Sequence, residues 1–200
     1  MPPAVGIVIL AAGAATRFGA SKQLLCIRGE PLVRRAARAA LDSLCRPVVV
    51  VTGAEADAVK SQLTGLDLTV CHNADWSTGI AGSLRTGVGA MTRCGVDALV
   101  VLLADQPRVS ADTIRRVVAA HDAPHRPIVA CDYGGACGPP ALFPRRFFEE
   151  LCAVNGDEGA RGVFARHRDE LTTVAAPEAA LDIDTPADAA RLRLESPDAR

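Results

Sequence analysis

The chain lacks the features by which nucleic-acid-binding and membrane proteins are usually detected. No stretch of its 200 residues gathers five or six like charges, and 22 Lys and Arg against 23 Asp and Glu leave a net charge of −1. Without a basic patch there is no electrostatic footprint for a nucleic-acid backbone or an anionic membrane surface. After the apolar run at residues 4–15, no apolar run approaches the roughly 18 residues of a membrane-spanning helix. We therefore expect a small-molecule partner, and neither nucleic acid nor membrane.

Cysteine pairs and a basic N-terminal leader are also missing. The seven cysteines form no CxxC pair, and their odd number excludes complete pairing within one chain. Most lie in apolar segments, which is typical of reduced, buried cysteines in a cytoplasmic protein. The apolar run at residues 4–15 has the small-residue ending of a signal peptide, but no basic residue precedes it. We therefore expect a cytoplasmic location.

Two common phosphate-binding motifs are absent from the segment "LAAGAATRFGASK", which follows the strand-like run at residues 5–10. A GxGxxG fingerprint does not fit, because five residues separate Gly13 from Gly19. A GxxxxGK[ST] loop does not fit either, because Lys22 lies three residues beyond Gly19. The four histidines have no clustered or i,i+4 spacing, so no metal or acid-base role is assigned to them.

Apolar strand-like runs alternate with helix-like stretches along most of the chain. The strand-like runs lie at residues 5–10, 47–51, 68–71, 98–103 and 127–131, and the helix-like stretches at 32–44, 55–63, 81–91 and 111–120. Strands that are apolar on both faces and alternate with helices predict a mostly parallel sheet covered by helices on both faces. We expect a doubly wound α/β fold forming a single domain over residues 1–200.

The alternation breaks in the last third of the chain. The Gly- and Pro-rich residues 133–143 are typical of a turn and a short strand, and residues 181–184 predict another short strand before a helix that opens at Thr185 and Pro186. We expect residues 133–180 to form a half-separate lobe over the sheet. The tail at residues 195–200 is expected to be frayed.

The segment after the first strand suits a triphosphate. Its small residues leave backbone N–H groups accessible, and two cations, Arg17 and Lys22, follow five positions apart. Such a loop can donate to phosphate oxygens while the cations neutralise their charge. The alternative is an ordinary turn between a strand and a helix, with surface cations.

Two aspartates follow predicted strands. Asp105 comes directly after "ALVVLLA", and Asp184 ends the run "LDID". Mg²⁺ takes one or two protein carboxylates and completes its shell with phosphates and water. If both aspartates face the loop, they make a magnesium site; the alternative for each is a helix cap or the polar end of a strand.

Five segments, taken in order, resemble one known family. "LAAGAATRFGASK" is similar to the LAAGxSxRxGxxK signature of nucleotidyltransferases related to molybdenum-cofactor guanylyl- and cytidylyltransferases, the MobA/MocA-like group. "NADWSTGIAGSLRTGV", "LLADQP", "GDEGARGVF" and "DIDTPAD" resemble its further motifs, so the likeness spans residues 5–188. It implies a Rossmann-like domain, related to nucleotide-diphospho-sugar transferases, that uses Mg²⁺ to transfer a nucleotidyl group to a phosphate acceptor.

The resemblance also implies roles for particular residues. For the donor, these are Leu10, Ala11, Ala12 and Gly13 near the triphosphate, Arg17 and Lys22 on its charge, and Asn73 and Ser83 near the base or ribose. Asp105 and Asp184 would hold Mg²⁺. Gly138, Asp157 and Arg161 would bind the acceptor, which makes residues 133–180 the acceptor side.

LAAG rather than LAGG resembles the cytidylyl branch, which implies CTP as donor and molybdopterin as acceptor, with a molybdoenzyme or its chaperone as partner. One departure concerns the acceptor, because Gly138-Pro139-Pro140 stands where the branch usually has Gly-His-Pro. The alternatives are a nucleotidyltransferase that uses GTP or another acceptor, an NAD(P)-dependent oxidoreductase and a non-catalytic cofactor-delivery module. Absence of GxGxxG disfavours the oxidoreductase.

Overall fold

The computed structural model describes residues 3–14, 21–121, 127–183 and 188, and strands and helices alternate through most of them. The strands are β1 (Val5–Ala11), β2 (Cys26–Ile27), β3 (Glu30–Pro31), β4 (Val48–Thr52), β5 (Thr69–His72), β6 (Ala98–Leu103), β7 (Ile128–Asp132), β8 (Cys137–Pro144) and β9 (Leu171–Ala175). The α-helices are α1 (Leu32–Asp42), α2 (Ala56–Gln62), α3 (Ile80–Cys94), α4 (Ala111–His121), α5 (Phe148–Ala153) and α6 (Arg161–Arg166).

Seven strands form one sheet in the order β5-β4-β1-β6-β8-β7-β9. The pairs β1 with β4, β1 with β6, β4 with β5 and β7 with β9 are parallel. Strand β8 runs antiparallel to both of its neighbours. The mostly parallel, Rossmann-like α/β fold predicted from the sequence is therefore confirmed.

Helices pack on both faces of the sheet because the central strands are apolar on both faces. All seven residues of β1 are buried. Ile7 and Ile9 join helices α1 and α4 in one hydrophobic cluster, and Val8 and Leu10 join α3, α5 and α6 in another. Each fully buried side chain of this size contributes about 1.5–3 kcal/mol, so the centre of the sheet is the most strongly anchored part of the fold.

The strand order reverses next to β1. The chain leaves β1 for β4 on one side and later returns to β6 on the other side. In open α/β sheets ligands bind in the crevice at the carboxyl ends of the strands at such a switch point. The segments that follow β1 and β6 are therefore brought to one place by the topology.

Four expectations for the end of the chain differ from the structure or lie outside it. Within residues 133–180, strands β8 and β9 extend the main sheet instead of lying over it. Residues 181–183 form no strand; Leu181 and Ile183 pack with Ile27 and Leu32 in a third small cluster. Residues 184–187, where the last helix is expected to open, and the tail at 195–200 lie outside the described residues.

Among the described helices, none is both long enough and apolar enough to cross a membrane.

Candidate functional site

A cavity of about 620 Å³ lies at the switch point between β1 and β6. The segment after β1 contributes Ala12, Gly13 and Ala14 to its wall, and the segment after β6 contributes Ala104 and Asp105. The backbone N–H of Ala104 donates to the carbonyl of Leu10 at 3.1 Å, which holds the two segments together. Leu10 also lines the cavity, whereas Ala11 is buried in the core on the opposite face of the sheet.

Gln23 braces the loop after β1. Its side-chain Nε2 donates to the carbonyl of Gly13 at 2.7 Å, and its Oε1 accepts from the hydroxyl of Ser21 at 2.7 Å. Only 7% of Gln23 is exposed. A buried glutamine that is hydrogen-bonded at both ends of its amide fixes the orientation of the Gly13 peptide.

The described residues do not require glycine at position 13. An added Cβ would meet only the Gln23 amide, at 3.9 Å, among the described residues. Its φ is not in the left-handed region either. Since the described neighbours and the backbone conformation both leave room for a side chain, glycine at this place in the cavity wall leaves the backbone open to close approach of a ligand.

Lys22 and Asp105 meet at this cavity although 83 residues separate them in the chain. The Lys22 Nζ lies 3.3 Å from Asp105 Oδ2, and the two side chains are 21% and 25% exposed. Both line the cavity. The structure thus brings together one cation and one carboxylate that sequence reasoning assigned to the same chemistry.

Asp105 fits the requirements of a divalent ion with few protein ligands. Its carboxylate lines the cavity from the carboxyl end of β6, and its carbonyl accepts from the N–H of Ile183 at 3.0 Å. Mg²⁺ in phosphate-transfer sites uses one or two carboxylates together with substrate phosphates and water. Arg17 and Asp184, the other predicted ligands of the phosphates and the metal, lie outside the described residues.

Asn73 and Ser83 form a bracket beside the cavity. The Asn73 amide Nδ2 donates to Ser83 Oγ at 3.0 Å, while its Oδ1 accepts from the N–H of Asp75 at 3.1 Å. Asn73 is 6% exposed and Ser83 3%. Of this pair, Ser83 lines the cavity and Asn73 supports the loop behind it.

Trp76, between these two residues in the chain, forms another wall of the cavity. It is seated against Gly53, where an added Cβ would lie 2.4 Å from the Trp76 Cβ and 2.7 Å from the Ala12 carbonyl. The N–H of Ala54 donates to that carbonyl at 3.0 Å. The glycine therefore allows the indole segment to close on the loop after β1.

The start of α3 packs closely against, and is hydrogen-bonded to, the segment "NGDEGAR" at residues 155–161. Gly79 has φ +114°, and a Cβ there would lie 2.6 Å from the Gly156 carbonyl oxygen. That oxygen accepts from the N–H of Ala81 at 3.1 Å. The contact places Asp157 on the wall of the large cavity.

A smaller cavity of about 150 Å³ adjoins the large one and shares Leu10, Ile80, Leu103 and Asp157 with it. Pro139, Phe164 and Arg161 complete its apolar wall and its rim. Of the three predicted acceptor residues, Asp157 and Arg161 line this cavity. Gly138 does not; a Cβ there would lie 2.6 Å from the hydroxyl of Tyr133, so this glycine makes room for the tyrosine ring.

The Tyr133 hydroxyl donates to the carbonyl of Pro139. Burial raises the pKa of Tyr133, partly offset by the hydrogen bond from Gln106. The hydroxyl therefore stays protonated near neutral pH and remains a donor.

Sequence reasoning missed two glutamines, Gln23 and Gln106, and assigned no ligand role to Trp76. Each glutamine directly follows a residue that was identified, Lys22 or Asp105. That adjacency is the only signal in the sequence, because their partners are mostly backbone carbonyls far along the chain.

Comparison with known proteins found a matching family model and similar chains. A model of the MobA-like NTP transferase domain matches residues 7–171. Nicotine blue oxidoreductase of Paenarthrobacter nicotinovorans is 36% identical over 178 residues, 83% of each chain. Purine catabolism protein PucB of Bacillus subtilis is 35% identical over 164 residues, 77% of each chain.

Among solved structures, Rv0371c of Mycobacterium tuberculosis H37Rv is 31% identical with a TM-score of 0.78, covering 96% of this chain and 98% of that one. A structure of Rv0371C in complex with manganese is similar with a TM-score of 0.75 at 29% identity, covering 96% of this chain and 99% of that one.

Proposed function

The chain belongs to the MobA-like NTP transferase family and is a nucleotidyltransferase, and from this we propose that it transfers CMP from CTP to the phosphate of molybdopterin. The observation that carries the proposal is the meeting of Lys22 and Asp105, 3.3 Å apart, at the cavity where β1 and β6 end. One side chain suits the phosphates and the other suits the metal ion that accompanies them.

The donor triphosphate would lie along the segment after β1. Ala12 and Gly13 present a wall without bulky side chains, and Gln23 holds the Gly13 carbonyl. Lys22 would exchange its contact with Asp105 for the phosphate oxygens, and Arg17 would add a second cation. Alanine at position 12 favours CTP, because a second glycine there would leave more room for a purine.

Mg²⁺ would be held by Asp105, with Asp184 as the second carboxylate. The position of Ile183, whose N–H donates to the Asp105 carbonyl, supports this pairing. When bound, the ion would neutralise charge on the phosphates. The manganese complex of Rv0371C supports a divalent ion in proteins of this kind.

The acceptor would enter through the smaller cavity, beside Asp157 and Arg161. An oxygen of its phosphate would attack the α-phosphorus of CTP, the bond from that phosphorus to the β-phosphate oxygen would break, and pyrophosphate would leave. Such a transfer needs positioning and charge neutralisation more than a protein nucleophile. Where the resemblance has histidine, Pro139 lines this cavity and makes its contact with the acceptor apolar.

The test is turnover of the whole chain with molybdopterin and either CTP or GTP in the presence of Mg²⁺. We expect pyrophosphate release with CTP and a product whose mass equals molybdopterin plus CMP. A clear preference for GTP would refute the cytidylyl assignment. A product from CTP with a different phosphate acceptor, and none with molybdopterin, would refute the acceptor. Binding of CTP without pyrophosphate would favour a delivery module.

A second candidate, an oxidoreductase, is favoured by one observation, the name of the relative nicotine blue oxidoreductase. The chain lacks the GxGxxG loop that commonly binds the dinucleotide. Titration with NADH and NADPH, followed by nicotinamide fluorescence, distinguishes the two candidates. We expect no binding; saturable binding that CTP does not displace would support the oxidoreductase.

We place the reaction in the cytoplasm, and expect delivery of the product to a molybdoenzyme or its chaperone. All seven cysteines are described: Cys131 is buried, Cys26 and Cys94 are exposed and the other four are half-buried, so the expectation that most of them are buried is wrong. Pull-down of a molybdoenzyme or its chaperone by the tagged chain tests the partner.

A further inference from the structure

Gln106, the residue after the carboxylate Asp105, is held at the centre of the acceptor side. Only 4% of it is exposed. Its Nε2 lies 2.8 Å from the Ala179 carbonyl, 3.1 Å from the Pro139 carbonyl and 3.3 Å from the Tyr133 hydroxyl. Two of these three oxygens are carbonyls, which only accept, so the amide nitrogen must face them.

The partners belong to two parts of the fold: Tyr133 and Pro139 to the β7–β8 hairpin, and Ala179 to the segment that follows β9. Pro139 lines the smaller cavity. Ala179 precedes the stretch that ends at Ile183, whose N–H donates to the carbonyl of Asp105 at 3.0 Å. Residues 179–183 therefore contact two neighbouring residues: Ala179 accepts from the Gln106 side chain, and Ile183 donates to the Asp105 backbone. One side-chain amide connects the wall of the smaller cavity with the backbone of the carboxylate.

The amide is used on its donor side alone. Its Oε1 is buried and has no hydrogen-bond partner among the residues that the structure describes. A buried carbonyl without a partner costs free energy, which an apolar side chain of the same shape would avoid. The donated hydrogen bonds are therefore the polar contacts through which the Gln106 side chain acts on its neighbours.

We propose that Gln106 is a positioning residue that sets the acceptor cavity in register with Asp105. The inference rests on the proposed function, since it assigns the smaller cavity to the acceptor. Gln106 does not line either cavity, so it acts through Pro139 and through residues 179–183.

The test is Gln106→Met, which keeps the length of the side chain and removes both amide ends. We expect the KM for molybdopterin to rise about tenfold or more, while the Kd for CTP, measured by Trp76 fluorescence, changes less than twofold. Gln62→Met is the matched control, because Gln62 donates only to its neighbour Ser61 on the surface of α2. It should change neither constant.

Hydrogen exchange followed by NMR tests the same connection without turnover. In Gln106→Met the amide of Ile183 should exchange at least tenfold faster, although its acceptor is the Asp105 carbonyl and not the side chain of residue 106. The amide of Val50 in the central strand β4 should not change. Equal losses of CTP and molybdopterin affinity, or unchanged exchange at Ile183, would overturn the proposal. If the wild-type chain releases no pyrophosphate from any nucleotide, the proposed function fails, and exchange at Ile183 alone decides the role of Gln106.

Discussion

Substitution of Gly79 by alanine tests the contact between the start of α3 and the loop at Gly156. Gly79 has φ +114° and ψ 175°, a conformation essentially confined to glycine, which costs another residue about 1–3 kcal/mol. The new Cβ would lie 2.6 Å from the Gly156 carbonyl oxygen and 2.7 Å from its carbonyl carbon. Both are backbone atoms, so the loop must move.

Displacing the loop adds two further costs. Forced overpacking costs about 1–3 kcal/mol, and the hydrogen bond from Ala81 to Gly156 contributes about 1 kcal/mol. The sum of the three contributions is about 3–7 kcal/mol, a large share of the 5–15 kcal/mol of a typical domain. Asp157 would be displaced from the wall shared by the two cavities, so turnover should fall as well.

Urea unfolding followed by circular dichroism measures the loss, with two glycines of the same chain as controls. Gly95→Ala introduces the left-handed strain alone, since φ is +72° and, among the described residues, only its chain neighbours lie within 4 Å of the new Cβ; it should cost about 1 kcal/mol. Gly89→Ala, inside α3 and free of contacts closer than 3.8 Å, should stabilise by about 0.5–1 kcal/mol. If Gly79→Ala costs no more than Gly95→Ala, the close approach of residues 79 and 156 is not real.

Four further predictions concern the donor site and the acid side of the stability curve. Asp105→Asn should lower pyrophosphate release by about 100-fold or more, while losing the Lys22 pair should shift the Tm by less than about 4 °C. CTP should saturably quench the fluorescence of Trp76, the single tryptophan of the chain. Quenching by molybdopterin and not by CTP would contradict the assignment of the large cavity to the nucleotide. Gln23→Met should raise the KM for CTP about tenfold, because a carbonyl left without its donor costs about 1–3 kcal/mol; an unchanged KM would show that Gln23 does not support the donor loop. Burial opposes the ionisation of Glu150, but hydrogen bonds from Arg166 and His167 outweigh it and lower its pKa. The stability that ionised Glu150 gives is fully present above its ordinary pKa and is lost as the pH falls through its lowered pKa. The Tm of Glu150→Gln should therefore fall less than that of the wild type when the pH is lowered below about 4.5.

The central strands could be predicted from the sequence because burial on both faces leaves a clear pattern. Strand β6 has the predicted bounds, residues 98–103, and β1 extends one residue beyond its prediction. The edge strand β9 was missed, since it pairs on one side only and "LTTVA" is largely exposed or half-buried. The strands β2 and β3 have two residues each, too few for a period to be visible.

The site was predictable only where topology and residue type agree. Lys22 and Asp105 follow strands that a parallel sheet places side by side, so their meeting follows from the order of elements. The roles of Gln23 and Gln106 depend on main-chain carbonyls 10, 33 and 73 residues away. A backbone carbonyl has no identity in the sequence, so these contacts require coordinates.

The hydrogen bond from Ile183 to Asp105 has a consequence for the synthesis of the chain. The pairing of β1 with β4 and β6 involves only residues up to 103, whereas the backbone of Asp105 receives this partner from residue 183. During translation the loop after β6 therefore emerges long before the segment that fixes it. Even after β1, β4 and β6 have emerged, the donor site therefore lacks this contact, which is completed among the last events of the chain's synthesis.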